Sequence, residues 1–150
     1  MRAHVLQREQ LVAAPVAEVF AFFAEARNLE RITPPWLGFS VLTPGPIPMA
    51  VGTTIAYRLR LHGVGLRWTS RIEEWERDQT FVDRQVRGPY RLWEHRHEFV
   101  GVDGSTVVRD RVRYRLPLGV AGALAHAAFV RRDLERIFDF RRDAVRRELG

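Results

Sequence analysis

Asp83, His95, His97 and Asp110 are the side chains of this chain whose types and spacing could do chemistry together. His95 and His97 sit two apart in a stretch of period two, so both point to the same face of a strand. Counting outward from Asp103-Gly104 as a two-residue hairpin turn sets Phe99 opposite Val108, His97 opposite Asp110, His95 opposite Val112 and Trp93 opposite Tyr114. On the other face the same count pairs Glu98 with Arg109 and Glu94 with Arg113, as a solvated sheet favours. A three-residue loop at Gly88-Pro89-Tyr90 sets Asp83 opposite His95 and Phe81 opposite His97. The product is a polar belt on the face that should be dry. Around it stands an aromatic wall of Tyr57, Trp68, Phe81, Trp93, Phe99 and Tyr114.

Such a belt has three uses. A buried carboxylate is costly unless paired, and imidazole is its natural partner, so His–Asp bridges can serve only to fix the sheet's register. The same groups can anchor the polar end of a ligand. They can also exchange protons as an acid–base pair, but no nucleophile with a base and an oxyanion stabiliser accompanies them, and no catalytic residue is assigned. His95 and His97 with a cross-strand Asp110 make a sparse zinc pattern, and no metal site is assigned. No cofactor is expected.

The elements that must position these residues follow from periodicity. From Gly52 onward Ile55, Tyr57, Leu59 and Leu61 share one strand face. A turn at Gly63-Val64 with glycine first places Leu61 opposite Leu66, Leu59 opposite Trp68, Tyr57 opposite Ser70 and Ile55 opposite Ile72. Thr106–Leu116 turns Val108, Val112, Tyr114 and Leu116 inward. Upstream, His4–Ala13 reads as a strand, and Ala14-Pro15 opens a helix whose stripe is Val16, Val19, Phe20, Phe23 and Ala24. A second helical piece at Asn28–Ile32 stops at Thr33-Pro34-Pro35. Trp36–Thr43 reads as a strand, and Pro44–Pro48 as a stiff loop. Finally, Val120, Leu124, Ala127, Val130, Leu134, Ile137, Phe138 and Val145 recur every three or four residues. They predict a helix over Gly119–Leu149, roughly 45 Å long. Leu134 and Phe138 are its share of a pocket enclosed between helix and sheet.

Composition bounds the rest. The 150 residues predict one domain spanning 1–150, large enough to bury a core. Apolar residues at 46% and a mean hydropathy of -0.22 describe an ordinary globule. There is no cysteine, which excludes disulfides and thiolate chemistry. The net charge of +6 is carried entirely by arginine, interleaved with acids rather than massed. Nucleic acid is therefore not an expected partner, while peripheral contact with an anionic membrane stays open. No signal-peptide core and no membrane-spanning run is evident, so a cytoplasmic protein is expected, as monomer or homodimer.

Strand, two short helices, antiparallel strands and one long C-terminal helix form the order of an α+β helix-grip fold. The run Pro15-Val16…Val19-Phe20…Phe23, with Asn28-Leu29 and Thr33-Pro34-Pro35-Trp36, resembles the opening of ligand-binding SRPBCC domain proteins. Gly88-Pro89-Tyr90…Trp93…His95-Arg96-His97…Phe99 resembles the same group. So do Asp110-Arg111-Val112…Tyr114…Leu116-Pro117-Leu118-Gly119 and Ile137-Phe138-Asp139-Phe140-Arg141. That superfamily takes in START lipid-transfer domains, polyketide cyclases and birch-pollen allergens. The resemblance implies a curved antiparallel sheet of about seven strands wrapped around the long helix, with an apolar cavity between them. It implies a small hydrophobic or amphipathic ligand such as a lipid, quinone or polyketide-like molecule. An enzyme of the cyclase/dehydratase kind is the alternative. A third reading is an interaction module that uses the basic outer face.

Overall fold

In the computed structural model, residues 2–150 are described. The chain opens with β1 (His4–Val12), whose side chains alternate inward and outward. Pro15, with its fixed φ, then starts α1 (Val16–Ala24), which buries Val19, Phe20 and Phe23. A 3-10 turn at Ala26–Asn28 leads into α2 (Leu29–Ile32), and Pro34-Pro35 ends it in a second 3-10 turn, Pro35–Leu37. Next come β2 (Ser40–Val41), β3 (Thr54–Leu61), β4 (Val64–Glu76), β5 (Thr80–Arg87), β6 (Leu92–Val102) and β7 (Ser105–Arg115). The chain closes with α3 (Gly119–Ala125), a π-helical turn (His126–Val130) and α4 (Arg131–Leu149), which run on as one helix of 31 residues.

The strands form one antiparallel sheet in the order β1-β7-β6-β5-β4-β3-β2. Bulges in the β4–β5 pair, with Val86 of β5 and Glu73 of β4 as the extra residues, add the local twist that curls it around the helix. Two of its hairpins keep the expected register. Asp103 and Gly104 take φ 50° and 80°, a two-residue turn that pairs His97 with Asp110 and His95 with Val112. Across the next pair, Asp83 faces His95 and Phe81 faces His97. That loop is tied by the Gln85 side chain, which donates to the Tyr90 carbonyl at 2.7 Å and accepts from the Tyr90 N–H at 3.1 Å.

The β3–β4 hairpin is corrected by two residues. Its turn is His62-Gly63, with φ 49° and 81°, so Leu61 faces Val64, Leu59 faces Leu66 and Tyr57 faces Trp68. Two positive φ values match the strands' right-handed twist, and Val64 is freed to join the ladder. The faces survive because the slip is even. The expected strand at Trp36–Thr43 shrinks to Ser40–Val41: Trp36 sits in a 3-10 turn, and Gly38 at φ 52° redirects the chain.

The long helix lies across the concave face, where Leu134, Phe138, Ala144 and Val145 are buried. β1 clamps it from the edge: Arg8 reaches Asp139 at 2.7 Å and Gln10 donates to the Arg142 carbonyl at 2.8 Å. Its first third departs from expectation, because Val120 and Leu124 face solvent. The π turn holds the reason. One extra residue in a turn rotates everything before it by about 100°, so the stripe that 3.6-residue spacing makes continuous is broken there. The core proper lies between α1, α4 and the far end of the sheet, with Phe20, Phe23, Phe81 and Phe99 ring against ring. Each such side chain contributes about 1.5–3 kcal/mol by leaving water.

Candidate functional site

β5, β6 and β7 deliver the polar belt, but its bonds run diagonally. His95 Nε2 lies 2.7 Å from Asp110 Oδ1, and His97 Nε2 lies 2.7 Å from Asp83 Oδ2. Each histidine thus bonds the aspartate opposite the other one. Diagonal neighbours on one sheet face remain within reach of long side chains. The two imidazoles stack at 3.7 Å, and His97 Nδ1 stands 3.5 Å from Asp110 Oδ1. From α4, Arg141 brings Nη2 to 3.7 Å from the same oxygen, with its guanidinium between the rings of Phe23 and Phe138. His97 Nδ1 and Arg141 Nη2 are buried without a hydrogen bond among the described residues. Native interiors rarely leave such atoms unpaired.

Asp83, His95, His97 and Arg141 border a cavity of about 180 Å³ between the sheet, α2 and α4. Of the residues expected to bind a ligand, the structure places Tyr57, Trp68, Asp83, Trp93, His95, His97, Leu134 and Phe138 on its wall. It places the others elsewhere. Phe81 and Phe99 stand beyond His97 in the core under α1. Tyr114 is buried with its hydroxyl 2.8 Å from His126 Nε2. Asp110 sits behind His95, bordering a smaller gap between β1 and α4. Outside the main cavity is a vestibule of about 340 Å³ lined by Trp36, the β3–β4 turn, Asp133 and Arg136. Leu37, Leu61 and Ile137 border both spaces. Across the vestibule His62 Nε2 meets Asp133 Oδ2 at 2.6 Å.

Sequence periodicity does not find Arg141, Tyr90, Ser70 or the α2-side wall of Leu29, Ile32, Thr33, Leu37 and Phe39. Arg141 does leave a signal. It follows Leu134 and Phe138 at helical spacing and precedes Val145, so it occupies an apolar position of the stripe. Ser70 Oγ accepts a hydrogen bond from Trp68 Nε1 at 3.1 Å and so steers that ring.

Electrostatics set the protonation states. Burial and the neighbouring His95 push His97 down to about 4, against the pull of Asp83 and Asp110, so it is neutral at pH 7. Burial raises Asp110, but Arg141 and His95 outweigh it and hold the carboxyl well below its ordinary range. Asp83 follows the same pattern: burial opposes ionisation, while the hydrogen bond and charge of His97 win. Burial, with Asp83 adding to it, keeps the Tyr57 hydroxyl protonated. A neutral His97 that donates from Nε2 to Asp83 leaves Nδ1 as an acceptor. The site therefore holds one donor cation, Arg141, and one acceptor nitrogen, His97 Nδ1, with Arg141 Nη2 and His97 Nδ1 both lacking a hydrogen bond among the described residues.

A ligating atom from each of Asp83, His95 and His97 lies within 4.8 Å of the others, a set that could hold a metal ion. In this arrangement His97 is committed to Asp83 and His95 to Asp110, and the Arg141 cation stands beside Asp110. Those partners describe a hydrogen-bonded network.

Comparison with known proteins bears on the fold. The family model described as polyketide cyclase/dehydrase and lipid transport matches residues 12–140. No curated protein matches the sequence. The chain is similar in structure to the ZhuI aromatase/cyclase of Streptomyces sp. R1128, at TM-score 0.74 and 18% identity, over 97% of this chain and 93% of that one. It is similar to protein Ms6760 of Mycobacterium smegmatis at TM-score 0.69 and 18% identity, over 94% and 87%. Protein CV1439 of Chromobacterium violaceum aligns at TM-score 0.75 and 9% identity, over 97% and 96%. At these identities the likeness is one of fold.

Proposed function

The chain belongs to the polyketide cyclase/dehydrase and lipid transport family, and from that premise we propose that its inner cavity binds a small amphipathic molecule with a hydroxyl beside a carbonyl. The observation that carries this reading is the pair of buried polar atoms without a hydrogen bond, Arg141 Nη2 and His97 Nδ1, each with only a long contact to Asp110, on residues that line one apolar cavity. Arg141 donates to the carbonyl oxygen, and His97 Nδ1 accepts from the hydroxyl. Trp68, Trp93, Tyr57 and Phe138 supply the apolar contact. A cavity of about 150 Å³ holds a benzene ring, so about 180 Å³ admits a single ring and its substituents. A larger ligand extends past Leu37, Leu61 and Ile137 into the vestibule.

Charge selects the class. Asp83 and Asp110 are ionised, and Arg141 is the guanidinium set against them. A carboxylate ligand would add a further negative charge to a site with little water to screen it. The favoured polar end is neutral.

The test is tryptophan fluorescence titration with three bicyclic probes: 1-hydroxy-2-acetonaphthone, 1-naphthoate and naphthalene. The hydroxyketone should bind at least about tenfold more tightly than either other probe, as expected for a hydrogen bond to a charged group. Equal affinities would remove the polar-anchor reading. Absence of binding by all three, with no small molecule released on denaturing the purified protein in a mass spectrometer, would remove the cavity reading.

A second reading rests on His97 Nδ1 as a base. In a bound β-hydroxyketone it would take the α proton while Arg141 holds the charge growing on the carbonyl oxygen; the hydroxyl then leaves as water with the proton of the imidazolium. Conversion of 4-hydroxy-4-phenylbutan-2-one to its enone, lost in His97→Gln, would establish it. Binding without conversion would make the protein a carrier.

A further inference from the structure

The segment from Leu118 through the π turn carries an apolar face that no described residue covers. Leu118, Val120, Leu124 and Phe129 are 81%, 75%, 69% and 64% exposed, next to the exposed methyls of Ala121, Ala127 and Ala128. This exposure is built in. The π turn rotates the face away from the sheet, and the turn itself is pinned: His126 stacks on His4 at 3.5 Å and bonds the Tyr114 hydroxyl at 2.8 Å. Leu118 is held at φ 72°, a conformation that costs a branched side chain, and it points into solvent. At Gly122 the helix start presses on residue 117 so closely that a Cβ would lie 2.3 Å from the Pro117 carbonyl oxygen. Fixed, outward-turned apolar residues of this kind mark an interaction surface.

The charge pattern says what covers it. From Leu116 to Val130 the sequence holds no acidic residue and no arginine, and Arg115 precedes the stretch while Arg131 and Arg132 follow it. The Arg131 side chain is 74% exposed, with a loose 3.9 Å contact to Glu135 as its ion pair. A second copy of this chain would bring residues 116–130, which hold no acid, against the same stretch, and that stretch offers Arg131 and Arg132 no anionic partner. An anionic bilayer meets both features: its headgroups take the arginines and its acyl boundary takes the leucine and phenylalanine side chains. The run of helix from Gly119 through the π turn, about 18 Å, is long enough to lie in that interface.

We infer that this face docks the protein onto anionic membranes, with Leu118, Val120, Leu124 and Phe129 entering the headgroup boundary and Arg131 and Arg132 on the phosphates. The surface is separate from the cavity residues, so it stands whether or not the proposed ligand is right.

The test is co-sedimentation with vesicles of phosphatidylglycerol and, separately, of phosphatidylcholine, beside light scattering of the protein alone. The wild-type protein should sediment with phosphatidylglycerol vesicles, less so as salt rises, and stay in solution with phosphatidylcholine. Leu124→Glu/Phe129→Glu should lower the partition at least about tenfold. Leu124→Ser/Phe129→Ser, which adds no charge, should lower it in the same direction, and circular dichroism should report both variants folded. A control, Val100→Glu on the outer sheet face, should sediment like wild type. No sedimentation of the wild-type protein, or double variants that sediment as wild type does, would overturn the assignment. A wild-type dimer that the same variants dissociate would assign the face to a second copy instead.

Discussion

His95 and His97 stack ring on ring at 3.7 Å, yet each hydrogen-bonds the aspartate that the backbone pairs with the other. This exchange ties three strands together through side chains alone, since Asp83, the histidines and Asp110 belong to β5, β6 and β7. It also crowds two imidazoles into one buried volume. The neighbouring His95 ring is among the causes that lower His97.

Stability should therefore fall with pH in two stages. The folded value of His97 is about 4, below its ordinary 6.5, so the unfolded chain takes up the proton first. The stability this residue contributes is fully present above pH 6.5 and is lost as pH falls toward 4, a change on the order of 3 kcal/mol. Asp83 and Asp110 are lowered from 3.8, so their contribution is present above that value and is lost below it. Urea denaturation between pH 7 and 4 should show the first stage. His97→Gln, which keeps an amide donor for Asp83, should flatten it.

Replacing Arg141 with methionine should act twice. Affinity for 1-hydroxy-2-acetonaphthone should drop at least about tenfold, as for the loss of a charged hydrogen bond. Naphthalene affinity should hold. Because Arg141 is the leading cause that keeps Asp110 low, the stability lost as pH falls below 3.8 should also shrink. Fluorescence titration and urea melts on one sample decide both.

Phe99→Ala separates core from cavity. Phe99 packs on Phe20, Phe23 and Phe81 and does not border the cavity. The variant should lose about 3–5 kcal/mol of stability while the folded protein keeps its probe affinity. A large affinity loss in the cold, fully folded sample would place Phe99 in the binding site after all.

Asp133→Asn should change rates rather than equilibria. The His62–Asp133 contact spans the vestibule with His62 72% exposed, so it adds no more than about 1 kcal/mol to folding. Without it, stopped-flow binding and release of the probe should both quicken at nearly unchanged Kd.

Much of the sheet is legible in the order of residues alone. Asp103-Gly104 sets the β6–β7 register, because Asp-Gly suits a turn with two positive φ values and both faces then agree. The β3–β4 register is not legible in this way, because Gly63 fits either position of a two-residue turn, and only the backbone shows His62 at φ 49°. Register tells which residues face one another and not which bond, since the lean of a side chain along its strand decides between Asp83 and Asp110 for each histidine. Arg141 is masked by its charge, although its spacing from Leu134 and Phe138 puts it on the buried stripe. The α2 wall is out of reach, because no periodicity says how a four-residue helix lies against a sheet. The π turn has no composition cue at all, and Val120 and Leu124 read as core for that reason.

The pairing of β1 with β7 imposes an order in time. Strands β3 to β7 follow one another through short turns and can zip up locally, whereas β1 has no partner until β7 exists. The buried bond from Thr106 Oγ1 to the Ala14 carbonyl, 2.8 Å across a separation of 92 residues, closes a loop that long. Closing it costs entropy before any contact repays it, so the first strand made is the last to dock. Leu6→Ala in β1 should then speed unfolding and leave the refolding rate nearly unchanged, while Val112→Ala, in the β6–β7 hairpin, should slow refolding.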